Sequence, residues 1–177
     1  LSNEQPIIGF CPGAEFGPAK RWPHYHYAAL AKKLIDDGYQ IALFGSAKDN
    51  EAGKEIIAAL SSEQQAWCRN LAGETQLEQA VILIAACKAV VTNDSGLMHV
   101  AAALDRPLVA LYGPSSPDFT PPLSHKARVI RLITGYHKVR KGDAAEGYHQ
   151  SLIDITPERV LQELNELLAE KTEHEEA

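Results

Sequence analysis

The chain has 177 residues, of which 45% are hydrophobic and 23% are charged, a composition typical of a globular protein that folds as one domain. Its net charge of −6, with no basic stripe to offset it, argues against a nucleic-acid-binding protein. The longest apolar stretches are too short to span a membrane, and residues 1–5 lack the features of a signal peptide. Three widely spaced cysteines, Cys11, Cys68 and Cys87, indicate neither a disulfide framework nor a zinc site, so we expect a cytoplasmic protein.

The first predicted strand is Pro6–Phe10, and a loop rich in glycine and proline leads from it into a helix that stops at Gly38. The spacing of Gly13 and Gly17 before Lys20 matches neither the P-loop nor the dinucleotide fingerprint. Lys20 is nevertheless placed to meet a phosphate, although a solvated surface lysine is the other interpretation. Trp22–Pro23 is predicted to be a packing anchor where the helix begins.

A second strand, Gln40–Phe44, is followed by the turn Gly45–Asp49 and another helix. Asp49 or Glu51 could bond a ribose, but a charge that complements the helix dipole is the expected role. After a weak third strand at 67–71, Thr75 and Glu78 are predicted to form a capping box. The helix that follows, Leu77–Ala86, is apolar nearly all round, which predicts that it is well buried.

The stretch Val91–His99 follows a short apolar run and opens the apolar-periodic segment Leu97–Leu104, so it predicts a strand, a tight turn and a helix N-terminus. Such a turn directs backbone N–H groups and the positive end of a helix dipole at one spot, where an anion can bind. Three cap-forming residues and a glycine occupy the turn: Asn93, Asp94, Ser95 and Gly96. Plain capping and a ligand site both fit these residues.

Strands at Pro107–Tyr112 and Val129–Ile133 continue the alternation of strand and helix. This alternation predicts an α/β fold, a Rossmann-like doubly wound parallel sheet. The loops that begin at Cys11, Gly45, Thr92 and Gly113 are expected to gather at the carboxyl edge of that sheet and form the site.

A long polar loop, Gly135–Gln150, carries local positive charge and is interpreted as a lid, a binding segment or a connector. Thr156, Pro157 and Glu158 form a clear start signal for the last helix. Its acidic end, residues 171–177, is expected to fray.

Four motifs together resemble those of the family 9 glycosyltransferases, the heptosyltransferases that build the lipopolysaccharide core. They are Pro12–Gly13–Ala14 with Lys20–Pro23, then Phe44–Ser46, Thr92–Ala103 and Leu111–Ser115. The resemblance implies a GT-B enzyme with two Rossmann-like domains. It identifies residues 1–170 as the carboxy-terminal, donor-binding domain and implies that the amino-terminal acceptor domain is absent from this chain.

The resemblance also assigns roles to residues. It gives Lys20 the donor diphosphate, Asp94 the heptose hydroxyls, and the amides of Ser95 and Gly96 the diphosphate. His99, which completes the D-S-G-x-x-H motif, would donate to a phosphate or brace the loop. Further donor-binding positions on the matching motifs are Gly13, Gly45 and Ser46.

The chemistry implied is inverting transfer of heptose from ADP-heptose to the inner-core heptose of lipopolysaccharide, with no metal ion or other cofactor. Lys20 and the helix amides would stabilise the leaving diphosphate, and the carboxylate base would belong to the absent domain. We therefore expect the chain to bind the donor without turning it over, and the whole enzyme to associate peripherally with the inner face of the cytoplasmic membrane. Two alternatives stay open: a non-catalytic nucleotide-binding domain and a nucleotide-sugar epimerase resembling the GT-B fold.

Overall fold

A computed structural model describes residues 4–14, 17–118, 120–134 and 145–176, without the side chains of Ala145 and of residues 171–176. In these ranges six strands form one sheet. The strands are β1 (Ile7–Cys11), β2 (Gln40–Leu43), β3 (Cys68–Asn70), β4 (Ala89–Asn93), β5 (Leu108–Tyr112) and β6 (Ala127–Arg131). All neighbouring strands run parallel, as the alternation of strand and helix predicted.

Seven α-helices lie within the described ranges. They are α1 (His24–Asp36), α2 (Asn50–Ala58), α3 (Ser62–Gln65), α4 (Leu77–Ala85), α5 (Gly96–Ala103), α6 (Gln150–Ile153) and α7 (Pro157–Glu176). Three 3-10 turns, Pro18–Lys20, Ala47–Asp49 and Ala145–Gly147, join some of these elements. None of the described helices is both long enough and apolar enough to cross a membrane.

The strand order is β3-β2-β1-β4-β5-β6, which is the order of the doubly wound nucleotide-binding fold. The chain builds outward from β1 in one direction and from β4 in the other. The crevice outside the carboxyl ends of β1 and β4 is therefore the topological switch point, where such sheets bind ligands. The loops after Cys11 and Asn93 both start there.

Two apolar cores cover the two faces of the sheet, because side chains alternate between faces along each strand. On one face Ile8 and Phe10 pack with α1, α2, α6 and α7. On the other face Val90 and Leu108 pack with α4 and α5. Each fully buried aliphatic side chain stabilises the fold by about 1.5–3 kcal/mol. The sheet edge that carries the switch point is thus held rigidly from both sides.

Helix α4 is less buried than its composition predicted. Only Ala80 and Ile84 are buried on it, whereas Leu77 is 65% and Ile82 is 68% exposed. The prediction was wrong because a single-layer helix buries one face, whatever the residues on its other face are. The predicted capping box was also displaced by one residue: Gln76 is the N-cap and pairs with Gln79, not Thr75 with Glu78.

Other local predictions were confirmed. Trp22 is buried, donates its indole N–H to the carbonyl of Ile155 at 2.9 Å and packs edge-on against Tyr27 at 4.8 Å, so it anchors the entry to α1. Gly38, with φ of 94°, follows the end of α1. Thr156 Oγ1 accepts from Arg159 N at 3.2 Å and caps α7.

The predicted polar loop Gly135–Gln150 is only partly described, since residues 135–144 lie outside the described ranges. Its last part is not loop throughout: Ala145–Gly147 forms a 3-10 turn, and Gln150 begins α6. His149 caps α6 by accepting from Ser151 N at 3.2 Å, which ends the loop before Gln150. Residues 171–176 continue α7 as helical backbone, and their fraying stays a prediction.

Candidate functional site

A cavity of about 520 Å³ opens at the carboxyl ends of the strands, beside the switch point. This volume lies in the range of pockets for small molecules. Its walls come from the loops after β1, β2, β3 and β4 and from α4 and α5. It is lined by Cys11, Gly13, Ala14, Phe44, Gly45, Ser46, Lys48, Asp49, Thr75, Leu77, Ala80, Ser95, Gly96, Leu97 and Val100.

One loop expected at this cavity is not there. Gly113, after β5, packs on α6 so closely that a Cβ at this position would lie 2.7 Å from Leu152 Cγ. The connection after β3 takes its place, because Thr75 and Leu77 line the cavity. The cavity therefore lies on the β1–β3 side of the α5 N-terminus, and not between β4 and β5.

The N-terminus of α5 lacks the side-chain cap that its residues predicted. Ser95 is the N-cap residue, but within the described chain its hydroxyl accepts no hydrogen bond from the helix. That hydroxyl instead lies 3.3 Å from Thr92 Oγ1. A Cβ on Gly96 would meet nothing within 4 Å, so the backbone there faces open space. The first N–H groups of α5 are thus left for a ligand, as at anion-binding helix termini.

Asn93, the last residue of β4, organises the loop after β1. Its amide nitrogen donates to the carbonyls of Pro12 at 2.7 Å and Gly13 at 3.1 Å. Its amide oxygen accepts from the backbone N–H of Trp22 at 2.9 Å and from the hydroxyl of Tyr27 at 2.8 Å. The side chain is fully buried and all four of its hydrogen-bonding positions are used. Asn93 therefore fixes the β1 loop to the end of β4.

Asp49 joins the two glycine turns of the cavity. Its carboxylate accepts from the backbone N–H of Ser46 at 2.9 Å and from the Ser46 hydroxyl at 3.1 Å, and pairs with Arg21 at 3.4 Å. A Cβ on Gly13 would lie 2.4 Å from the Asp49 carboxyl carbon, and one on Gly45 would lie 2.7 Å from Asp49 Cβ. Both glycines are required because the carboxylate fills the space beside them. Asp49 is the acid of a capping box with Ser46, a structural role other than the dipole-complementing charge that the sequence favoured.

The cavity floor holds a protonated thiol. Burial, with a smaller contribution from neighbouring Cys87, raises the pKa of Cys11 to about 12. Burial also raises the pKa of Cys68 and of Cys87 to about 12. All three thiols in the described chain are free. They are therefore poor nucleophiles and poor metal ligands at neutral pH.

One group of metal-ligating side chains lies outside the cavity. In the described ranges His24, Glu55 and Glu146 each place a ligand atom within 4.8 Å of the others. His24 Nδ1 is already 2.7 Å from the hydroxyl of Tyr148. His24 is also the first residue of α1, where the positive end of the helix dipole disfavours a cation. We assign no metal to this cluster.

Residues 1–149 match the family described as glycosyltransferase family 9 (heptosyltransferase). The chain belongs to this family. Sequence similarity to individual heptosyltransferases extends over nearly the whole chain. It is 87% identical over 171 residues to the lipopolysaccharide heptosyltransferase 2 of Salmonella typhimurium, covering 97% of the chain and 49% of that relative.

Solved heptosyltransferase structures share the fold. The structure of E. coli ADP-heptose lps heptosyltransferase II matches with a TM-score of 0.90 and 81% identity, over 97% of this chain and 49% of that one. E. coli heptosyltransferase WaaC with ADP-2-deoxy-2-fluoro heptose matches with a TM-score of 0.69 and 27% identity, over 94% of this chain and 45% of that one. These structural neighbours are GT-B heptosyltransferases. The chain spans about half the length of the relatives it matches.

The structure brings most of the motif residues of this heptosyltransferase-family chain together. Gly13, Gly45, Ser46, Ser95 and Gly96 all line the cavity. Lys20, Asp94 and His99 are not among its lining residues.

These three residues belong to elements that adjoin the cavity-lining loops in sequence. Lys20 ends the 3-10 turn that follows the β1 loop. Asp94 starts the turn after β4, on the side of β5, and His99 is an exposed residue of α5. The side chain of His99 makes no hydrogen bond to another residue within the described ranges, and both of its predicted roles, donation to a phosphate and bracing of the loop, stay predictions.

Two site features were missed by sequence reasoning. Asn93 was interpreted only as a capping residue, although a polar residue that ends a buried strand is a signal for buried hydrogen bonding. Thr120 was not singled out, yet its hydroxyl donates to Asp94 Oδ2 at 3.1 Å from the loop after β5. No sequence pattern relates these two positions, because the contact depends on how that loop folds back.

Proposed function

We propose that this chain is the donor-binding half of an inverting glycosyltransferase that transfers heptose from ADP-heptose to the inner-core heptose of lipopolysaccharide. Family membership supports this, as do the names of relatives that share 87% of their aligned residues with the chain. The observation that carries the proposal is the uncapped N-terminus of α5, which opens onto a cavity at the switch point of the sheet.

The donor is proposed to lie across the α5 N-terminus. The cavity, with the apolar walls of Phe44, Leu97 and Val100, suits the adenosine. The diphosphate would then accept from the N–H groups of Ser95 and Gly96, with Lys20 as a point charge. Beyond the diphosphate, the heptose hydroxyls would meet Asp94, which faces the β5 loop and not the cavity.

Catalysis by this half would be electrostatic. As the glycosidic bond to the diphosphate breaks, negative charge grows on the leaving ADP, and the Lys20 ammonium and the α5 amides would stabilise it. With these groups supplying the positive charge, we propose that the transfer needs no metal ion. His99, one turn into α5, would donate a hydrogen bond to a phosphate.

The other half of the reaction is proposed to come from the second domain of the enzyme. A carboxylate there would deprotonate the acceptor hydroxyl. This chain alone would then bind the donor without transferring the sugar. Since the acceptor is a lipid, the whole enzyme would work in the cytoplasm, in peripheral contact with the inner face of the cytoplasmic membrane.

The test is calorimetric titration of the chain with ADP, ADP-heptose and a uridine nucleotide-sugar. We expect ADP-heptose to bind more tightly than ADP, and the uridine compound to bind more weakly than either. Lys20→Ala should weaken ADP and ADP-heptose alike, by about 5- to 50-fold, because it removes one charge-assisted contact to the shared diphosphate. Lys54→Ala, which removes an exposed lysine paired with Glu51, is the matched control and should change neither affinity.

Each alternative gives a different result. Equal affinity for ADP and ADP-heptose would favour a non-catalytic nucleotide-binding domain, and preference for the uridine nucleotide-sugar would favour an epimerase. Failure of the chain to bind either adenine ligand at millimolar concentration would contradict the assignment of the donor site to this half.

A further inference from the structure

The carboxylate of Asp94 is held from across the site by Thr120. The Thr120 hydroxyl donates to Asp94 Oδ2 at 3.1 Å, and it has a weaker alternative acceptor in the carbonyl of Ser116 at 3.4 Å. A hydroxyl has one hydrogen to donate, and a charged acceptor at the shorter distance is preferred. The contact engages one oxygen of Asp94, and among the described residues Oδ1 accepts no hydrogen bond, so it can accept from a ligand.

Thr120 is itself fixed by the end of β5. The buried Tyr112 donates its hydroxyl to the backbone carbonyl of Thr120. The backbone N–H of Thr120 donates to the carbonyl of Ser116, a buried residue, at 3.3 Å. Burial and the nearby charge of Asp94 both raise the pKa of Tyr112, so its phenol stays protonated and able to donate. The hydroxyl of Thr120 is therefore presented to Asp94 by an anchored backbone.

We infer that Thr120 is a positioning residue for the sugar end of the site, which orients the Asp94 carboxylate so that its free oxygen accepts from the donor's sugar hydroxyls. This inference rests on the proposed function, in which Asp94 meets the heptose. A carboxylate on a partly exposed turn otherwise distributes over several rotamers, and fixing one of them in advance removes an ordering cost from binding. Thr120 thus contributes to the preference for a sugar-bearing nucleotide, not to nucleotide binding as such.

Thr120→Val separates this role from a structural one. Valine has nearly the same shape, and the anchoring bond from Tyr112 goes to the backbone carbonyl, which the substitution keeps. Thr120 is exposed, so the loss of its hydroxyl leaves no buried polar group without a partner. The variant should therefore keep its fold, with a free energy of unfolding equal to that of the unmodified chain.

The experiment compares Thr120→Val and Thr120→Ser by calorimetric titration with ADP and with ADP-heptose. We expect Thr120→Val to bind ADP-heptose about three- to tenfold more weakly while its affinity for ADP changes less than about twofold, since one hydrogen bond to the carboxylate is lost. Thr120→Ser keeps the hydroxyl and should restore ADP-heptose binding. In an Asp94→Ala background, Thr120→Val should have no further effect, because there is no carboxylate left to orient.

The outcomes separate the two levels of the proposal. If the unmodified chain prefers ADP-heptose and Thr120→Val keeps that preference, or weakens both ligands equally, the role of Thr120 is overturned while the donor site stands. If the unmodified chain does not distinguish ADP-heptose from ADP, the proposed function fails, and the role of Thr120 fails with it.

Discussion

The two sides of the α5 N-terminus are built differently. On the cavity side, the loops are fixed by buried groups: Asn93 makes four hydrogen bonds, and the carboxylate of Asp49 fills the space beside Gly13 and Gly45. On the β5 side, Asp94 is held by the hydroxyl of an exposed threonine. Under the proposed function, the nucleotide would therefore bind to a preformed part of the site that is costly to alter, and the sugar to a part that can be changed without disturbing the fold.

Among the substitutions on the cavity side, Asn93→Ala should lower the free energy of unfolding most. The substitution leaves two carbonyls, a backbone N–H and a tyrosine hydroxyl without their partner in a buried place, at a cost of about 3–5 kcal/mol in the free energy of unfolding. It should also weaken ADP binding, because the β1 loop loses its attachment to β4. Urea unfolding and calorimetric titration measure the two effects.

Gln40→Ala is the matched control for Asn93→Ala. Gln40 is also a buried polar residue, but it lies at the opposite, amino end of β2, where its amide donates to the carbonyl of Gln5. Gln40→Ala should lower the free energy of unfolding, while the folded variant should bind ADP with the affinity of the unmodified chain. Equal effects of both substitutions on ADP binding would contradict the role of Asn93 in the site.

The alkylation rate of Cys11 reports how well the floor of the cavity is shielded from solvent. With a pKa of about 12, its thiolate fraction at pH 8 is about a thousandfold below that of an exposed cysteine, so alkylation by iodoacetamide should be slower by about that factor. Mass spectrometry after timed alkylation measures the rate, with the urea-unfolded chain as the reference. A rate equal to that reference in the folded protein would contradict a buried, protonated Cys11.

The pH dependence of the same reaction has a defined sign. The rate for Cys11 should keep rising about tenfold per pH unit beyond pH 9, where an ordinary thiol levels off. Because the folded pKa is raised above the unfolded one, the thiol stabilises the fold below about pH 8.5, and this contribution is lost as the pH rises toward 12.

Gly13→Ala should have an intermediate effect. The added methyl group would lie 2.4 Å from the Asp49 carboxyl carbon, so the carboxylate must move away from Ser46 and Arg21, at a cost of about 1–3 kcal/mol. In an Asp49→Ala background the same methyl group has room, so its cost should fall. Denaturant unfolding of the two single variants and the double variant gives this coupling, and strict additivity would rule out the contact as the cause.

Asp94→Ala should have the smallest effect on stability. Its carboxylate is only partly buried, so we expect a change within about 0.5 kcal/mol in the free energy of unfolding. The variant should still lose the preference for ADP-heptose over ADP in calorimetric titration. A loss of stability comparable to that of Asn93→Ala would show that the two sides of the α5 N-terminus are not built differently.

The fold could be predicted from the sequence because its strands are short apolar runs separated by helix-forming segments. Such runs as Leu108–Tyr112 are buried on both faces of a parallel sheet, and that requirement leaves a strong pattern in the chain. Helix α4 shows the limit of this reasoning, since the exposed Leu77 and Ile82 look like core residues in sequence. The composition of a helix shows how apolar it is, but not how many of its faces pack against the rest of the protein.

The turns of the candidate site could be predicted from the sequence, but the hydrogen bonds between its side chains could not. Gly96 and Ser95 follow a strand and open a helix, which is a local signal that the structure bears out. The partners of Asn93 and Thr120 are distant in sequence and depend on the packing of α1 and on the path of the β5 loop. Capping propensity alone favoured a local role for Asn93, and tertiary packing overrode it.

A crystal structure of this chain with ADP-2-deoxy-2-fluoro heptose tests the division of the site most directly. The account predicts the adenosine in the cavity beside Phe44 and Leu97, the diphosphate within hydrogen-bonding distance of the Ser95 and Gly96 amides, and the sugar against Asp94 on the β5 side. A sugar seated in the cavity, or a diphosphate away from the N-terminus of α5, would contradict it.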